Sequence, residues 1–215
     1  MPKGQNMTVL EKKRDLLIEQ EKKFARVLSR RVLEKPPLSV WMILIPIIFV
    51  YWFMRLQKVT QGQNEFVLNY MLTRELAIQE AFHAVSQKRP PDCRGIAMQA
   101  KIAAQAIPPY EELLTRLTDG YIFLLQQDGH DVPAMVRRAY PAKSAWLLLQ
   151  NVLNQAEKKL HTALADPSDA NLGETINKIE THSGMLRRDL ADEIYDGPSL
   201  KHAATGPETA PSTGS

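Results

Sequence analysis

A chain of 215 residues has room for one modest domain. Its single cysteine, Cys93, excludes an internal disulfide framework and any multi-cysteine zinc or iron–sulfur centre. The net charge of +3 is unevenly spread: residues 1–35 hold ten basic and five acidic residues, the remainder 17 and 19. No groove-reading motif accompanies the basic residues, so a nucleic-acid partner is not expected.

Residues 8–35 read as a charged helix. Leu10, Leu17 and Phe24 recur every seven residues, and Leu28 and Val32 fall close to the same face. The stripe is thin and suits either a partial coiled coil or an amphipathic helix on a membrane surface. Arg26, Arg30, Arg31 and Lys35 cluster before an apolar run, where each would contribute about 1 kcal/mol with anionic lipid. They serve equally well as the charges that set the topology of any membrane anchor.

The run itself, residues 36–54 (PPLSVWMILIPIIFVYWFM), carries no charge and lies between Lys35 and Arg55. As a helix these residues would be about 28 Å long, close to the ~30 Å hydrocarbon core of a bilayer. Its Leu, Ile, Val and Phe residues supply roughly −3 to −6 kcal/mol of insertion energy. Trp41 near one end, and Tyr51 and Trp52 near the other, suit the membrane–water boundary. A buried core helix would need a large soluble domain around it, and the preceding residues are too polar to provide one. A cleavable signal peptide does not fit either, because no small-x-small pattern follows the run. Pro46 falls mid-run and leaves two arrangements, a kinked span or a monotopic hairpin. The expectation is a kinked transmembrane helix over residues 36–58. Residues 16–35 hold six Lys or Arg and residues 55–74 three. The positive-inside rule then puts the amino terminus in the cytoplasm and the rest outside, in the periplasm if the cell is bacterial.

Four helices are expected beyond the anchor: 65–87, 96–127 kinked at Pro108-Pro109, 142–165 and 169–196. Each carries an apolar stripe, such as Trp146, Leu149, Leu153, Ala156 and Leu160 in the third. Pro90-Pro91, Asp128-Gly129 and Asp166-Pro167 mark the connections, and residues 198–215 have the composition of a disordered tail. No stretch alternates with period two, so the fold class is all-α. The organisation is a charged helix at 1–35, the anchor at 36–58 and a small antiparallel bundle at 63–197.

Chemistry-bearing motifs are sparse. Glu80-Ala81-Phe82-His83 matches the Glu-x-x-His spacing of di-metal bundles, which also need a second such pair and two further carboxylates. Glu157 with His161 is the nearest complement, at a spacing of four. Ordinary helix residues explain both pairs. Cys93, between Asp92 and Arg94, reads as a loop thiol that could react or bridge two chains. There is no phosphate loop, zinc-protease motif or nucleophile elbow. No cofactor is implied. The leading expectation is a non-enzymatic accessory, assembly or scaffold subunit that binds the bilayer and a protein partner or a second copy of itself. The alternatives are a sensory domain holding a small ligand between helices and a di-metal enzyme.

Overall fold

The computed structural model describes residues 8–32, 62–164 and 170–197. They form helices α1 (Val9–Val32), α2 (Gly62–Gln87), α3 (Cys93–Gln99), α4 (Ile107–Leu125), α5 (Val132–Ala139), α6 (Lys143–Leu164) and α7 (Ala170–Asp196). A 3-10 turn at Ala104–Ala106 precedes α4, and the described residues include no strand. The fold class is all-α, as the sequence predicts.

Five long helices close a ring: α1 lies against α2 and α7, α2 against α4, α4 against α6, and α6 against α7. The short α3 packs on α4, and α5 fills the space between α4, α1 and α7. The expected helices at 65–87, 142–165 and 169–196 appear as α2, α6 and α7. The expected bundle of four gains a fifth member, because α1 belongs to the same body. Leu17 and Leu28 of α1 are 2% and 0% exposed, and Phe24 is buried beside them. Such burial contributes roughly 1.5–3 kcal/mol per side chain. The seven-residue stripe in α1 is therefore a core seam, not a surface for lipid or a separate coiled coil. Its start is secured by a capping box: the Glu11 N–H donates to Thr8 Oγ1 at 3.2 Å, and the Thr8 N–H to Glu11 Oε2 at 2.6 Å.

Directions follow from the residue pairs. Phe24 stacks on Tyr70 at 5.8 Å, Arg74 reaches Glu21 and Arg14 lies over Phe82, so α1 and α2 run antiparallel. Tyr121 donates to Glu21 and Lys13 to the Leu125 carbonyl, so α4 is also antiparallel to α1. Hence α2 and α4 are parallel neighbours, a departure from the all-antiparallel expectation. The segment from α3 through the 3-10 turn returns the chain along the bundle between them. The expected helix over 96–127 is accordingly broken. Pro108 and Pro109 sit in the first turn of α4, where their missing N–H groups have no helical acceptor to lose, so they start a helix instead of kinking one.

The run 36–54, with Lys35, Trp41, Tyr51, Trp52 and Arg55, lies outside the described residues, as does the tail 198–215. Among the described residues no helix is long and apolar enough to cross a membrane.

Candidate functional site

Where α1, α2, α6 and α7 face one another, the core is charged. Arg74 stands one turn beyond Tyr70 on α2, and Asn154 and Glu157 share a face of α6. Glu21 comes from α1 and Arg187 from α7. The Glu157 carboxylate accepts from both guanidiniums, Arg74 and Arg187, the latter at 2.8 Å. Arg187 also donates to the Asn154 side-chain oxygen. Arg74 Nε lies 3.4 Å from Glu21 Oε2, and the Tyr121 hydroxyl donates to Glu21 at 2.9 Å. Arg74 rests over the Tyr70 ring, 4.3 Å from its centroid.

The side chains of Arg74 and Arg187 are only 5% and 4% exposed. Taking such charges out of water costs several kcal/mol each, so they persist here only as a matched set. Burial alone would push the Glu157 carboxyl up, but Arg187 and Arg74 outweigh it and hold its pKa at about 2. Burial likewise opposes charge on Arg74, and Glu21 leads the neighbours that raise its pKa regardless. The Tyr70 phenol is pushed up by burial and stays neutral.

A cavity adjoins the cluster on either side. The first, about 70 Å³, runs between α1, α4, α6 and α7 past Leu117, Val136 and Trp146. The second, about 110 Å³, lies among Phe66, Thr73, Leu113, His161 and Ser183. Arg74 and Tyr70 line both. The indole N–H of Trp146, Nδ1 of His161 and the hydroxyl of Ser183 are buried without a hydrogen-bond partner. For the His161 nitrogen the closest carboxylate oxygen is that of Glu180, at 3.8 Å.

The residues singled out in the sequence are not brought together. Glu80 is buried near the end of α2, where its carboxylate receives Arg89 at 2.6 and 3.0 Å and the Asp92 N–H at 2.6 Å. Its partner in the motif, His83, is exposed. Glu157 is committed to two arginines, and His161 lines the second cavity. Among the described residues no three His, Cys, Asp or Glu side chains gather as a metal site. The di-metal arrangement therefore lacks its ligand set, because each carboxylate already serves an arginine. Cys93 is corrected as well: it begins α3 instead of lying in a loop, is 5% exposed, and burial pushes its thiol up. A thiol so placed is neither a ready nucleophile nor an accessible bridge. Arg26, Arg30 and Arg31 end α1 on its exposed face, Arg31 paired with Asp189 at 3.1 Å.

Arg74, Arg187 and Glu21 escaped sequence reading, although a signal existed. The α2 stripe Phe66, Tyr70, Ala77, Ala81 skips one turn, and Arg74 fills that turn. A charge inside an apolar stripe marks a buried ion pair as readily as a break in the stripe. No protein family, characterised protein or solved structure matches the chain.

Proposed function

We propose that the protein is a non-enzymatic scaffold or assembly subunit, held at a membrane by residues 36–54, that works by binding another protein or a second copy of itself. The observation that carries the topology is the packing of α1 along α2 and α7. A single crossing by residues 33–61 would put α1 and α2 on opposite sides of the bilayer, where they could not touch. That contact favours, for our reading, an anchor whose two ends lie on the bundle's side over a single crossing. Arg26, Arg30 and Arg31, in the last two turns of α1, lie where the chain approaches the lipid. On this reading the amino terminus and the bundle share one side of the membrane, whereas the positive-inside count alone favours opposite sides.

Two exposed positions test the topology, Lys12 on α1 and Met98 on α3. In a Cys93→Ala background, Lys12→Cys and Met98→Cys should react with a membrane-impermeant maleimide from the same side of sealed vesicles. Labelling from opposite faces would restore the single crossing. Carbonate washing should leave the protein in the membrane pellet, and release into the supernatant would end the anchoring model. Gentle solubilisation should yield a stoichiometric complex with a second chain. A monodisperse monomer with no co-purifying protein would remove the scaffold reading and leave only the anchor.

A further inference from the structure

The outer face of α1 and α2 is open, and the two helices give it opposite charge. On α1, Lys22, Arg26 and Arg30 recur every four residues, with Arg26 and Arg30 exposed and Lys22 half-buried beside Glu19. On α2, Leu68, Leu72 and Leu76 recur in the same way, Leu68 being 61% exposed and Leu76 37%. A stripe of that kind on a bundle surface marks a contact site. Glu65 and Glu75 border it, and the basic residue between them, Arg74, is buried and turned inward. Among the described residues no ion pair engages Arg26, Arg30, Glu65 or Glu75.

The basic and apolar stripes share a register. Glu21 meets Arg74 and Phe24 stacks on Tyr70, so Arg30 stands level with Glu65, Arg26 with Leu68, and Lys22 between Leu72 and Glu75. Because α1 ends at Val32 and the antiparallel α2 begins at Gly62, both points that lead to the apolar run lie at one end of the bundle. Two copies anchored in one bilayer pair symmetrically about an axis along the helices, since an axis across them would send the anchors in opposite directions. That rotation keeps every residue at its level and sets α1 of each copy against α2 of the other. Arg30 then meets the partner's Glu65, Lys22 meets the partner's Glu75, and the aliphatic stem of Arg26 lies on the partner's Leu68. An anionic lipid surface would suit α1 but repel Glu65 and Glu75. A second copy satisfies both helices.

We propose that this face docks a second copy of the chain, in a parallel two-fold dimer formed by α1 and α2. The inference rests on the scaffold reading and names its partner, and the direction of the axis rests on the anchor.

The test is a charge exchange in the full chain, expressed with two different tags and solubilised gently. Wild-type copies should co-purify. Arg30→Glu alone and Glu65→Arg alone each bring like charges together at both reciprocal contacts, so either variant should weaken the dimer roughly tenfold or more while keeping native circular dichroism. Co-expressed, the two variants should recover it, because both contacts of the mixed pair are then of opposite sign. The same two positions within either chain remain alike, so recovery cannot come from repair inside a chain. In a Cys93→Ala background, a copy with Arg26→Cys and a copy with Leu68→Cys should form a mixed disulfide on mild oxidation. Leu148→Cys, exposed on α6 across the ring, should not substitute for Leu68→Cys. The inference is overturned if wild-type copies do not co-purify, or if the mixed variants recover no more dimer than either alone. It is also overturned if Leu148→Cys cross-links as well as Leu68→Cys. Recovery of a different protein in place of a second copy overturns it too, and leaves the scaffold reading standing.

Discussion

Arg74, Glu157 and Arg187 show how a core tolerates charge: the two arginines are buried and Glu157 partly so, and each is the reason the others can be. Removing one member strands the rest, which typically costs 3–5 kcal/mol, whereas replacing the whole set with apolar residues is often neutral or stabilising. Glu157→Gln should therefore lower the urea midpoint sharply at pH 7, while the fourfold change Glu21→Gln, Arg74→Met, Glu157→Met, Arg187→Met, which leaves no charge of the set unpaired, should lower it far less. The pH dependence has a definite sign. The Glu157 pKa is lowered from 4.5 to about 2 in the folded chain, so its stabilisation is full above about pH 4.5 and fades as the pH falls toward 2. At about 1.4 kcal/mol per pH unit, about 3 kcal/mol is at stake. The stability gap between wild type and Glu157→Gln should narrow over that window; a gap constant with pH would contradict the assignment. Cys93 makes a simpler prediction. Its buried thiol should react slowly with a thiol reagent in the folded chain and readily in denaturant.

Among the elements, α1 owes its first turn to Thr8 and Glu11, and Thr8→Ala should cost about 0.5–2 kcal/mol, read as a lower urea midpoint with an unchanged slope. The stretch 93–125 shows where periodicity misleads. Its residues are apolar or helix-forming nearly throughout, so pattern alone joins them into one helix bent at Pro108. The structure divides them because a chain that must return past α2 needs a break, and the Pro108-Pro109 pair is suited to restart it. The parallel pairing of α2 with α4 follows from that break. It was invisible in a sequence where every connection looked short.

For the whole molecule, the decisive contact is α1 closing the ring between α2 and α7. Leu28→Ala should cost about 2–5 kcal/mol, as for any well-packed core leucine. A fragment of residues 62–197, lacking α1, should lose cooperative unfolding, since the faces that Leu17, Phe24 and Leu28 cover would be open to water. A peptide of residues 8–32 added in trans should restore a sharp transition. A fragment that melts cooperatively alone would show that α1 is an accessory, not a member of the fold.

By itself the sequence determined the all-α class, the positions of α2, α6 and α7, the core stripes and the apolar run, because each of these is a local pattern of residue types along one helix or segment. The charged interior, the fate of Glu80, Glu157 and Cys93, and the membership of α1 were decided only by the tertiary structure. Charge on a helix looks the same in sequence whether it meets water or an opposite charge from another helix. Only the packing of α1, α2, α6 and α7 brings Glu21, Arg74, Glu157 and Arg187 within reach of one another. The same packing sets α1 along α2 and α7, a relation between distant segments that no local pattern encodes.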